Sequence, residues 1–127
     1  MNAHHPALSV DVAVMASRVV AVEVASRVAD ELGAALPTGM DDAWTGAEDS
    51  RLRGIYRILY RRNKRGEVQA ADVEVLGVLG RHLRLLDAVA DFRRSEGSGA
   101  ASEVERTARE IEDRASRVLG RRPTIWF

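Results

Sequence analysis

Between Leu8 and Leu36 the apolar positions keep helical time. Leu8, Met15, Val22, Ala29 and Leu36 stand seven apart, with Val12 and Val19 on one side of that line and Val14, Ala21, Val28 and Ala35 on the other. The result is a broad apolar surface, wider than the stripe of an ordinary surface helix. The runs "VDVAV" and "VAVEV" also alternate with period two, as a strand does. No turn signal separates them, and the pattern runs past the ~25 residues of a long helix, so the helical reading is preferred. It predicts a first helix from about Ser9 to Leu36, with Ser9 as N-cap and Pro37 as stop.

Three further patterns follow. Leu52, Ile55, Tyr56 and Leu59 fall on one side of a helical wheel, which predicts a helix over Ser50–Arg65, capped by Asp49 or Ser50 and closed by Gly66. Leu76, Leu79, Leu83, Leu86 and Ala90 form a seam, widened by Val75, Val78, Leu85, Val89 and Phe92, within a helix from about Glu67 to Arg94. Ser102 and Glu105 have capping-box spacing and open a fourth helix carrying Val104, Ala108, Ile111, Ala115, Val118 and Leu119, up to Gly120. The remainder divides into a flexible N-terminus (1–8), an acidic linker (37–49), a Gly/Ser loop (95–101) and an aromatic tail (121–127). The expectation is an all-α, four-helix bundle-like single domain with long first and third helices. Those two helices are apolar on more than one face. Either they form the centre, or they also bury surface against a second subunit, so a homodimer or a protein partner is expected.

Composition narrows the picture. In 127 residues, 46% are hydrophobic and 30% charged, the balance of a folded domain with its own core. There is no cysteine, which removes disulfides, thiolate nucleophiles and Cys-based zinc sites. Asp11, Arg18, Glu23, Arg27, Asp30 and Glu31 interrupt the apolar first third, so no uncharged run reaches the ~20 residues that span a bilayer. "MNAHHPALS" lacks the basic start of a secretory signal. No membrane association is expected, and a cytoplasmic location is the default.

Charge changes the picture more. The total is neutral, yet residues 1–50 hold eight acids against two bases and residues 51–127 eleven against seventeen. The excess concentrates in "RLRGIYRILYRRNKRG", where Arg53, Arg57, Arg61 and Arg65 succeed one another at i, i+4 with Lys64 alongside. Each like-charge pair at that spacing costs roughly 0.2–0.5 kcal/mol. Three things relieve such a strain: solvent and salt; acids of the protein itself, from Asp41, Asp42, Glu48 and Asp49 or from Glu67, Asp72 and Glu74; or the phosphates of DNA or RNA. Arginine outnumbers lysine eighteen to one, which suits bidentate phosphate or carboxylate contacts, although a GC-rich coding sequence has the same effect. Tyr56 and Tyr60 border the stripe.

The stretch "TAREIEDRASRVLGRRPTIWF" carries Ser116 four residues before Gly120, Leu119 directly before it, and the polar run Arg121, Arg122, Pro123, Thr124 after it. In this it resembles the first helix and turn of the helix-turn-helix DNA-binding proteins, over about twenty residues. The resemblance implies that Arg121 and Arg122 open a second helix and form a further nucleic-acid patch. Ile125, Trp126 and Phe127 end the stretch with three large apolar side chains, which either tuck into the protein's own core or dock on a partner.

No catalytic set is legible. His4 and His5 are adjacent without further ligands, and His82 lies between Val78 and Leu85 with no Glu at metal-site spacing, as a bundle histidine does. Gly77 and Gly80 lack the lysine of a phosphate loop and mark a close helix–helix approach. No enzyme, metal or cofactor is expected. The leading expectation is a small regulatory or accessory protein that contacts nucleic-acid backbone through Arg53, Arg57, Arg61, Lys64 and Arg65, with Arg121 and Arg122 as a second patch. The alternative is a helical adaptor or assembly subunit working through the first helix and Ile125, Trp126 and Phe127. The first predicts a free stripe, the second a stripe paired with acids.

Overall fold

The computed structural model describes residues 6–29, 48–95 and 98–127. Among them are four helices and no strand: α1 (Pro6–Ala29), α2 (Glu48–Lys64), α3 (Ala70–Ser95) and α4 (Ser98–Leu119). They pack as an all-α, four-helix bundle-like domain, with α3 against each of the other three and α2 seated on α1 and α3. No helix among the described residues is long and apolar enough to cross a membrane.

The boundaries differ from expectation in ways that have local causes. α1 begins at Pro6, where proline's fixed φ suits a first helical turn. Ser9 is therefore not a cap but a buried residue inside the helix. Residues 30–36 of the expected first helix, the linker up to residue 47, and His4 and His5 lie outside the described residues. α2 begins at Glu48, two residues early, so the acids of the linker's end become its first turn, where the helix dipole favours them. It closes as expected. Gly66 takes φ +69°, its N–H donates to the Asn63 carbonyl at 3.0 Å, and the Glu67 N–H donates to the Arg62 carbonyl at 2.8 Å. That is the Schellman arrangement. α4 starts at Ser98, which puts Ser102 and Glu105 inside the helix, along with residues 98–101 of the expected Gly/Ser loop; residues 96–97 lie outside the described residues.

The core corrects the reading of α1. Its buried face is Val10, Ala13, Val14, Ser17, Val20, Ala21, Val24, Ala25 and Val28. Leu8, Met15 and Val19 face outward, about two-thirds exposed. The seven-residue line thus faces outward at Leu8 and Met15 and is half-buried against the core at Val22. Valine, alanine and serine make up the buried face, with no larger side chain among them. α3 buries Val75, Val78, Leu79, His82, Leu83, Leu85, Ala88 and Val89, while Leu76 and Leu86 are half-buried and Ala90 is exposed. Its centre is shifted from the leucine seam toward the residues expected only to widen it. α2 is as expected, with Leu52, Ile55 and Leu59 buried. Each such side chain contributes about 1.5–3 kcal/mol of transfer free energy.

Gly120, at φ +76°, ends α4, and no helix follows it. Residues 121–127 instead run back over the bundle. Ile125 is fully buried and Trp126 nearly so. The clamp is Glu112 on α4, itself 3% exposed. Its Oε2 accepts the backbone N–H groups of Ile125 at 2.7 Å and Trp126 at 3.1 Å, and its Oε1 accepts from Arg122 at 3.0 Å. One buried carboxylate satisfies two buried backbone donors and a guanidinium, and so meets the condition for burying a charge. The Ser9 hydroxyl donates to the Phe127 carbonyl at 3.4 Å, tying the tail to α1.

Candidate functional site

The amphipathic pattern of α2 places its cations. Burying Leu52, Ile55 and Leu59 turns the opposite side to solvent, and Arg53, Arg57, Arg61, Lys64 and Arg65 are all exposed there. Four residues advance a helix by about 6 Å, so Arg53, Arg57 and Arg61 form an evenly spaced line. The first turn of α2 is held rigidly. Asp49 accepts from Arg18 of α1 through both oxygens, Nε at 3.0 Å and Nη2 at 2.7 Å. His82 of α3 donates from Nε2 to the same carboxylate at 3.0 Å, and its Nδ1 accepts the Ser17 hydroxyl at 2.6 Å. A carboxylate only accepts, which fixes this tautomer. Ser17, His82, Asp49 and Arg18 thus pin three helices together where α2 begins.

The electrostatics of that pin follow from burial. The fully buried His82 is pushed below its usual pKa by desolvation, against the opposing pull of Asp49, and stays neutral. For Asp49, burial works to raise the pKa, but the hydrogen bonds from Arg18 and His82 prevail and hold it below the usual carboxylate value. Arg18 is raised chiefly by its bond to Asp49. Serine, histidine and aspartate joined in this order are the groups of nucleophilic catalysis, but Ser17 is fully buried here. The chain of contacts ties α1, α2 and α3 together.

Pairing sets the basic face of α2 apart from every later arginine. From Arg81 to Arg122 each arginine has a carboxylate within 3.8 Å: Arg81, Arg84 and Arg106 share Glu110. Arg114 and Arg117 share Glu74, Arg93 pairs with Asp11, Arg94 with Asp91 and Arg109 with Glu105 and Glu112. Arg121 takes Glu23 at 2.8 Å, and Arg122 takes Glu112 and Asp113. On α2, by contrast, Arg53, Arg57 and Arg61 have no acidic partner among the described residues. Arg65 pairs with Glu67 at 3.1 Å, and the Lys64 ammonium lies 5.5 Å from the Tyr60 ring centroid. Glu74 and Asp49, two of the acids expected as internal partners, are engaged elsewhere. Asp41 and Asp42 lie outside the described residues.

No family model, curated protein or solved structure matches this chain. The site therefore stands on its geometry alone. Of the expected site residues, Arg53, Arg57, Arg61, Lys64 and Arg65 are brought together on one exposed face. Arg121 and Arg122 do not open a second helix; they brace the tail, paired with Glu23, Glu112 and Asp113. Ile125 and Trp126 are core residues and unavailable to a partner, while Phe127 stays 64% exposed. Among the described residues no three His, Asp or Glu side chains converge as a metal-binding group. The sequence reading missed the pin of Arg18, Ser17, Asp49 and His82. No local signal marks it, since Ser26 and Arg27 repeat the Ser17–Arg18 pair on the same helix.

Proposed function

We propose that this protein is a non-enzymatic regulatory or accessory factor that binds nucleic-acid backbone through the exposed face of α2. One observation carries the reading: Arg53, Arg57 and Arg61 lack an acidic partner among the described residues, in a molecule where every arginine from Arg81 onward has one. A line of cations held by a rigid, pinned helix is pre-organised to replace condensed counterions along a phosphate chain. Arginine suits the task because its planar fork meets phosphate oxygens two at a time. The test is fluorescence anisotropy at low salt with a labelled random-sequence oligonucleotide. The double variant Arg57→Glu/Arg61→Glu should lose binding, while Arg94→Gln, which removes a paired arginine elsewhere, should keep it. Equal affinity of all three proteins contradicts the proposal.

A second reading, a protein partner or a second copy of this chain held by α1, is favoured by the outward Leu8, Met15 and Val19. Met15, Val19 and Val22 join Arg18 and Glu48 in lining a shallow groove of about 340 Å³. Light scattering after size exclusion tests it: a dimer that Met15→Lys/Val19→Lys converts to a monomer supports this reading, and a monomeric wild type refutes self-association.

A further inference from the structure

Resting on the nucleic-acid reading above, we infer that the groove between α2 and α3 receives an unpaired base, so that the protein takes single strands in preference to duplex. The groove has a volume of about 280 Å³, and its walls include Tyr56, Tyr60 and Asn63 of α2, Arg81 and Arg84 of α3 and Arg114 of α4. Small-molecule pockets start near 300 Å³, so this one has room for a single flat ring system rather than a larger ligand.

Its position relative to the cations is the first argument. Tyr56 and Tyr60 each stand three residues after Arg53 and Arg57, and Lys64 follows Tyr60 by four, so the tyrosines and the cations occupy adjoining faces of one helix. A strand whose phosphates follow the arginine line has its bases within reach of the groove. The tyrosines themselves are the second. Their ring centroids are 5.8 Å apart at an interplanar angle of 31°, and Tyr60 is left 43% exposed, an aromatic surface presented beside a cationic track. That pairing of an aromatic platform with a basic groove is how single strands are bound without sequence preference.

The floor of the groove is the third argument. Gly77 and Gly80 bring the bare backbone of α3 up to it. A Cβ on Gly80 would lie 3.1 Å from Cε1 of Tyr56, so the ring rests close against the glycine and would have to give by a few tenths of an ångström to admit a side chain there. A Cβ on Gly77 would project toward the guanidinium groups of Arg81 and Arg114, at 3.5 and 3.7 Å, narrowing the recess. The far wall is net cationic: Arg81 and Arg84 share Glu110 and Arg114 pairs with Glu74, which leaves three arginines against two carboxylates. A duplex keeps its bases stacked inside a convex cylinder that does not enter a recess between two helices. A strand with unstacked bases does.

The experiment is anisotropy at one salt concentration with a labelled single strand of random sequence and with the same strand annealed to its complement. Wild type should bind the single strand more tightly. Tyr60→Ala should weaken single-strand binding by about five- to a hundred-fold and leave duplex binding within twofold, and Tyr60→Phe, which keeps the ring, should restore the wild-type affinity. Tyr60 is part-exposed, so the variant should fold, and an unchanged melting temperature checks this. Duplex bound as tightly as single strand, or a Tyr60→Ala effect equal on both probes or absent, overturns the inference. If Arg57→Glu/Arg61→Glu still abolishes binding in that case, the backbone reading survives alone; if wild type binds neither probe, both fall.

Discussion

Replacing Glu112 by alanine removes the acceptor for two buried backbone N–H groups, those of Ile125 and Trp126, and one of the two acidic partners of Arg122. Each N–H left unsatisfied in the interior costs about 1–3 kcal/mol. The molecule has an escape, since the tail can lift away and rehydrate, but that exposes Ile125 and Trp126, at about 1.5–3 kcal/mol each. The expected destabilisation is therefore about 2–4 kcal/mol. For a chain of 127 residues each kcal/mol moves the melting temperature by about 4 °C, so the variant should melt roughly 8–16 °C lower. Glu112→Gln keeps one accepting oxygen for the backbone pair and should cost about half as much. Circular dichroism gives the melting temperature. Fluorescence in a Trp44→Phe background reports Trp126 alone, and its emission should shift to the red if the tail lifts. A change of less than about 2 °C with unshifted emission would refute the view that one carboxylate holds the tail.

Two other outcomes follow from the same structure. Because His82 is held below its ordinary pKa of about 6.5, the native state binds fewer protons than the unfolded chain below that pH. Its stabilising contribution is complete above about pH 6.5 and is lost as pH falls through the lower folded value, so the melting temperature should drop on mild acidification, and His82→Gln should flatten that drop. Asp49, also lowered, adds stability above its unfolded value that is lost only at more acid pH; a melting temperature that rises between pH 6.5 and 5 would contradict the His82 assignment. Gly54 lies inside α2, with nothing within 4 Å of where its Cβ would sit, so Gly54→Ala should raise the melting temperature by about 2–4 °C, measured by the same melts, through helix propensity alone.

How much of this was legible in the sequence depends on whether a residue's partner is near it in the chain. α2 could be read almost completely because its two sides differ: Leu52, Ile55 and Leu59 face inward because their opposite neighbours are arginines. α1 carries valine and alanine on every side, and the polar residues of its outer side, Asp11, Glu23, Ser26 and Arg27, alternate with Leu8, Met15 and Val19, so the regular apolar line reads as part of the packing surface. Asp49 looked like a cap because caps are local, whereas its partners, Arg18 and His82, lie 31 and 33 residues away. Glu112 looked like one more surface acid in an "EIED" run, and only the return of the tail makes it a buried anchor. The arginine stripe was legible as a stripe. That its first three members lack acidic partners among the described residues is a property of the folded molecule, because it depends on where Glu74 and Asp49 are spent.

The central claim is that those unpaired arginines contact phosphate, and counterion release measures it most directly. The association constant for a labelled duplex and for a single strand, titrated over a series of salt concentrations, should fall linearly on logarithmic axes. Each phosphate contact should contribute about −0.9 to the slope on duplex and about −0.7 on single strand. Arg53, Arg57 and Arg61 together predict a slope steeper than about −2 on either probe, and neutralising Arg57 and Arg61 to glutamine should flatten it by one to two units. An absence of binding at low salt, or a slope that the two substitutions leave unchanged, would contradict the account.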